Sequence, residues 1–129
     1  MPVVSDFVVI RGDNNLQIGD DQLGHTLAFN TEGRHTNGEA YLVLMVRALT
    51  QAVTNAEVTL NGERIGQIFH HNEAPLGHWF TQIINIGAGR LNDGDNNLRL
   101  GVVPNAQDGG GNFDDYLVRN IVCHFKRNV

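Results

Sequence analysis

Apolar and polar residues alternate along most of this chain, and the alternation is broken at intervals by turn-forming residues. Phe7, Val8, Val9 and Ile10 predict a first strand from Asp6 to Arg11, closed by a turn at Gly12-Asp13-Asn14-Asn15. Leu16 to Ile18 reads as a short strand ending at Gly19-Asp20-Asp21, and His25 to Asn30 as the next. After a polar loop from Thr31 to Glu39, Ala40 to Thr50 carries apolar residues at both parities: Tyr41, Val43 and Met45 on one face, Leu42, Leu44 and Val46 on the other. Such a strand is expected to be buried on both faces, either at the centre of a sheet or crossing a packed edge. Glu57 to Leu60 and Arg64 to Phe69 form a hairpin, Trp79 to Ile86 follows a loop containing Pro and Gly, and Asn97 to Val103 comes next. A glycine loop from Gln107 to Asn112 leads into a long last strand, Phe113 to Phe125.

The hairpin turns on Asn61-Gly62, a pair that tolerates the positive φ values of a type I′ turn. Gln51 to Glu57 has room for a helical turn, but Thr50, Val53 and Thr54 are poor helix formers. Strands separated by turns, with no amphipathic helix, predict an all-β sandwich or barrel of about eight strands. No linker, charge block or fixed-period repeat divides the chain, so residues 1–129 read as one domain.

Composition agrees. Glycine supplies 15 of 129 residues, above the usual share of about 7%, and Lys126 is the only lysine. The net charge of −5 argues against nucleic acid as a main partner, since phosphate binding needs a basic patch. Cys123, the only cysteine, excludes an intramolecular disulfide, reads as a buried inert thiol, and fits a reducing compartment. The start, Met1-Pro2-Val3-Val4-Ser5-Asp6, shows no signal-peptide pattern, which leads one to expect a cytoplasmic protein or one released without a cleavable signal. The longest apolar run, Tyr41 to Val46, is too short to span a bilayer.

Three segments taken in order, V-T-L-N-G-E-R-I-G from Val58, W-F-T-Q-I-I-N-I from Trp79 and L-N-D-G-D-N-N-L-R-L-G-V from Leu91, resemble the jelly-roll β-sandwiches of the galactose-binding-domain-like superfamily. That resemblance covers Ala40 to the C-terminus, with the first forty residues fitting by general pattern. It implies an antiparallel jelly roll of the kind found in carbohydrate-binding modules and in domains appended to glycoside hydrolases. In such modules an acidic residue near the start of the last strand often ligates a structural calcium. F-D-D-Y at Phe113 to Tyr116 is similar to that position, which implies Asp115 as a ligand, with partners from Asp13, Asp20 or Asp21. Calcium takes six to eight oxygens, which acidic turns can offer. The EF-hand spacing is absent.

Two loops carry the candidate chemistry. The first holds His71, Asn72, His78 and Trp79. Sugar recognition uses a flat aromatic for C–H faces and planar polar groups for paired hydroxyls. Trp79 reads either as a core anchor opening its strand or as an exposed platform. His70, His71, Glu73 and His78 could surround a metal, although no zinc-site spacing is present. The second loop, Asn105 to Asp115, offers Asp108 and Asn112 beside three glycines that admit a ligand close to the backbone; its alternative is a hairpin connection. Nucleophilic catalysis finds no support: Ser5 is the only serine, G-x-S-x-G is missing, and Cys123 and His124 are adjacent on a strand and face opposite ways. No phosphate-binding glycine loop is present. The expectation is therefore a non-catalytic, lectin-like carbohydrate-binding domain, homo-oligomeric because weak sugar sites gain from avidity. The alternative is a structural, self-assembling or protein-interaction sandwich without a small-molecule ligand.

Overall fold

Among the described residues eleven strands are formed, and their sequence patterns explain their places. The computed structural model describes residues 3–19, 24–35, 38–48, 56–68, 78–101, 103–104, 113–114 and 116–128. The strands are β1 (Val3–Arg11), β2 (Leu16–Ile18), β3 (His25–Asn30), β4 (Ala40–Ala48), β5 (Ala56–Leu60), β6 (Glu63–Ile68), β7 (Trp79–Ile86), β8 (Asp95–Leu100), β9 (Val103–Pro104), β10 (Phe113–Asp114) and β11 (Tyr116–Asn128). β2, β3 and β7 begin and end where the alternation predicts. Beyond the nine segments read from the sequence, the two additions are β9, which pairs with β10, and the division of the last predicted strand into β10 and β11.

One sheet has the order β1-β11-β4-β7, with β2 also paired to β11; the other runs β3-β8-β5-β6. The pairing is antiparallel throughout. Between the sheets lies the core. β4 contributes Leu42, Leu44 and Val46, β7 Ile84 and Ile86, and β11 Val118, Ile121, Cys123 and Phe125. Ala56, Val58, Leu60, Ile68, Leu98, Leu100 and Phe29 face them from the second sheet. Each such aliphatic side chain contributes roughly 1.5–3 kcal/mol on leaving water. β4 is central, as its composition predicts, but only one of its faces is in the core: Tyr41, Val43 and Met45 point to the outside of the sheet and keep partial exposure.

A bulge in β11 sets which residues face outward. Its register against β4 slips between Arg119 and Val122, where Asn120 takes a φ of 53°. The Asn120 amide leaves the ladder and donates to the Gly12 carbonyl at 2.8 Å. The extra residue resets the parity, so Val118 and Ile121 both point inward while Leu117, Arg119, Val122 and His124 lie on the other side.

The second sheet is tied at one end by side-chain amides. Asn61 and Gly62 both have positive φ, 52° and 84°, as a type I′ turn requires. The Asn61 Nδ2 donates to the Asn96 Oδ1 and to the Arg90 carbonyl, and its Oδ1 accepts from the Asn97 amide. Asn96 is buried with its hydrogen-bonding capacity used: its Oδ1 also accepts from the Asn92 amide, and its Nδ2 donates to the Asn92 and Gly94 carbonyls. Among the described residues there is no α-helix, and no helix is long and apolar enough to cross a membrane.

Candidate functional site

The outward face of the five-stranded sheet is unusually apolar, and its register arranges it in rows. Phe7, His124, Tyr41 and Asn85 stand side by side across β1, β11, β4 and β7, followed by Val9, Val122, Val43 and Ile83. Phe7 is 56% exposed and Ile83 65%. The Tyr41 and His124 rings stack at 4.8 Å with 12° between their planes, and Phe7 tilts against His124 at 6.1 Å. Beside Ile83, where β6 meets β7, a cleft of about 470 Å³ is lined by Arg64, Gly66, Gln67, Ile84 and Asn85 among others. A methyl group on Gly66 would lie 2.9 Å from the Ile84 Cγ2, so glycine there lets the two edge strands approach.

Farther along the same face the rows change character. Arg119, Met45 and Thr81 form the next, and Leu117, Arg47 and Trp79 the last. Trp79, half-buried, lies outside the core cluster. Arg119 reaches across β4 to place its guanidinium carbon 4.0 Å from the Trp79 ring centroid, within cation–π range. Arg47 is the register partner of Trp79. The Nε atoms of Arg47 and Arg119 are both shielded from solvent, and neither has a hydrogen-bond partner in the protein. Among the described residues neither arginine forms an ion pair; the acidic partners Asp6 and Glu63 serve Arg34, Arg127 and Arg90 instead. His78, exposed, precedes Trp79 directly.

His78 and Trp79 are therefore at one end of this face. Trp79 is neither the core anchor nor the free platform of the two sequence readings, because Arg119 shares its ring. His71, Asn72, Asp108 and Asn112, and the candidate calcium ligands Asp20, Asp21 and Asp115, lie outside the described residues, as do His70 and Glu73. Among the described residues no group of three or more His, Cys, Asp or Glu side chains could hold a metal ion. Sequence reasoning passed over Arg47 and Arg119. The available signal was parity: Arg47 follows Tyr41, Val43 and Met45 on the outward side of an apolar strand.

Other titratable groups sit within the packing. Cys123 is buried, and loss of water around it pushes its thiol up to about 12, in keeping with an inert thiol; His124 faces the other way. Burial likewise raises the Tyr116 phenol, which donates to the Gly101 carbonyl at 2.6 Å. His35, a buried residue that no motif singles out, packs edge-on to Phe125 with ring centroids 5.8 Å apart. Neither of its ring nitrogens meets hydrogen-bond geometry with any partner. Burial lowers its pKa, against the opposing pull of the Asp93 carboxylate and the Lys126 backbone.

No family model matches the chain, and no curated protein matches it in sequence. Solved structures do match in shape. Dimeric latent PorU from Porphyromonas gingivalis is similar with a TM-score of 0.68 at 12% identity, over 99% of this chain and 13% of that one. The CBM36-1 domain of a multidomain xylanase, from the hindgut metagenome of Trinervitermes trinervoides, gives 0.56 at 12% identity, covering 98% of this chain and 100% of that one. A family 35 carbohydrate binding module from Clostridium thermocellum gives 0.52 at 13% identity, covering 93% and 98%. The chain thus has the β-sandwich fold of these carbohydrate-binding modules, as the jelly-roll resemblance implies, and corresponds to a small part of the PorU chain.

Proposed function

We propose that this chain is a non-catalytic carbohydrate-binding domain, a single sandwich over residues 1–129 whose ligand meets the end of the sheet face around Trp79. The observation that carries this reading is the position of Trp79: the only tryptophan lies on the outer face of the sandwich, outside the core, with His78 exposed beside it. An aromatic ring flanked by planar hydrogen-bonding groups suits the C–H faces and hydroxyls of a sugar. The match in fold and length to the CBM36-1 domain supports the same reading. His71, Asn72, Asp108 and Asn112 are proposed to complete the ligand contacts. A calcium ion held by Asp20, Asp21 and Asp115 is proposed as a structural element. Ile18 and Tyr116 are register partners, and the chain keeps these acidic positions within three residues of that pair. A glycan array run with calcium and again with chelator tests both parts. Chelator-sensitive binding supports both, chelator-insensitive binding keeps the sugar and drops the ion, and a blank array with folded protein refutes the carbohydrate reading.

A second reading is a self-assembling or protein-interaction module. The exposed apolar positions Phe7, Val9 and Ile83 on one sheet face favour it. It predicts a stable homo-oligomer by light scattering, with Ile83→Asp shifting the population to monomer.

A further inference from the structure

We propose that the Trp79 end of the sheet recognises an acidic sugar, one bearing a carboxylate or a sulfate ester, through Arg47 and Arg119. This rests on the carbohydrate-binding reading and names the ligand class within it.

The argument begins with how arginines are satisfied elsewhere in the molecule. Every other arginine donates to a protein acceptor: Arg11 to the Asn14 and Asn15 carbonyls, Arg34 and Arg127 to Asp6, Arg90 to Glu63, Arg64 to Gln67 and Arg99 to Thr26. Arg47 and Arg119 are the exceptions among the described residues, and both have an Nε atom with no protein partner and no access to solvent. They are also neighbours. Arg47 stands opposite Leu117, which makes Arg119 its diagonal neighbour on the same sheet face, at a Cα spacing of about 7–8 Å. Two cations brought that close repel, and each also holds a buried donor without an acceptor. An anion seated between them offsets the repulsion, meeting the terminal guanidinium nitrogens, which unlike the Nε atoms are not shielded.

The stack on Trp79 prepares Arg119 for that role. A guanidinium group can spend its face on an aromatic ring and still offer the N–H groups along its edge. With its guanidinium held 4.0 Å from the Trp79 centroid, Arg119 loses less side-chain freedom when a ligand arrives. Carboxylate and sulfate oxygens match the two-pronged donor geometry of guanidinium. A sugar ring carrying such a group would place its anion on the arginines and its C–H face near the half-buried Trp79.

The test uses the full chain and two probes with their neutral counterparts: oligogalacturonate against its carboxyl-reduced form, and a sulfated galactan oligosaccharide against its desulfated form. Calorimetry is expected to give binding to one acidic probe, weaker by roughly tenfold or more for its neutral counterpart, and falling as salt rises from 50 to 300 mM. Which acidic probe binds distinguishes carboxylate from sulfate. The R47Q and R119Q variants, checked by near-ultraviolet circular dichroism for a native fold, are expected to lose that preference, while R127Q keeps it. Equal binding to an acidic probe and its neutral counterpart, or a preference unchanged in the R47Q/R119Q double variant, overturns the inference and leaves the carbohydrate reading standing. The probe comparison on wild-type protein decides the matter even where a variant does not fold. Absence of binding to every acidic and neutral glycan sinks both readings together.

Discussion

Arg119 covers the ring of Trp79 although a whole strand, β4, runs between the strands that carry them. The contact joins the middle of the sheet to its β7 edge. Replacing Arg119 with Ala uncovers the ring, so Trp79 emission shifts to the red and acrylamide quenches it more strongly. Stability falls by about 1 kcal/mol or less, because the same substitution removes an unsatisfied donor. Arg119→Lys is expected to fall between, keeping the charge but losing the planar stack.

The two faces of the five-stranded sheet differ sharply in what they tolerate. Leu42 is fully buried under the second sheet, and Leu42→Ala is expected to cost about 2–5 kcal/mol in denaturant titrations. Ile83, on β7 but outward and 65% exposed, is expected to change stability by no more than about 0.5 kcal/mol when replaced by Ala.

His35 makes stability depend on pH in a direction that can be worked out. Burial lowers its pKa from the ordinary 6.5, so in the window just below 6.5 the unfolded chain takes up a proton that the folded chain refuses. Stability therefore drops as pH falls through 6.5 and levels off once pH passes below the folded-state pKa. The urea midpoint measured between pH 7.5 and 5 is expected to fall in the wild type and to fall less in His35→Gln. Equal slopes would assign the effect elsewhere.

Cys123 is expected to react with a thiol–disulfide exchange reagent only as fast as the protein unfolds. The group is inaccessible, and its thiolate form is scarce at neutral pH. Cys123→Ser, which buries a hydroxyl in an apolar site, is expected to cost about 1–3 kcal/mol unless that hydroxyl finds a backbone acceptor.

Local signals in the sequence reached some parts of this structure and not others. Asn61-Gly62 announced its turn because the required backbone angles belong to those two residues alone. The run from Tyr41 to Val46 announced a central strand but not which face turns inward, because both parities are apolar and only the packing of the second sheet chooses Leu42, Leu44 and Val46. The pairing of β1 with β11, or of β3 with β8, follows from packing across most of the chain length and has no local mark. Asn120 is instructive in this respect. A reader who carries the alternation through Val118 and Asn120 places Ile121 on the outside, and only the observed register slip turns it inward. The Arg47–Arg119–Trp79 cluster depends on that same register, so a reading based on neighbouring residues found Trp79 and His78 and missed both arginines.

Asn61 also links the hairpin to a slow chemical change. In an Asn-Gly pair the following amide nitrogen can attack the side-chain carbonyl with little hindrance, expelling ammonia to form a cyclic imide that water then opens to an acid. Here both ends of the Asn61 side chain are held, its nitrogen by the Asn96 Oδ1 and the Arg90 carbonyl and its oxygen by the Asn97 amide. The attack requires those bonds to be given up first, which ties chemical damage at this turn to opening of the hairpin. The gain of one mass unit at Asn61 over weeks of storage is thus a slow clock for that opening, one that runs faster in any variant that loosens Asn96.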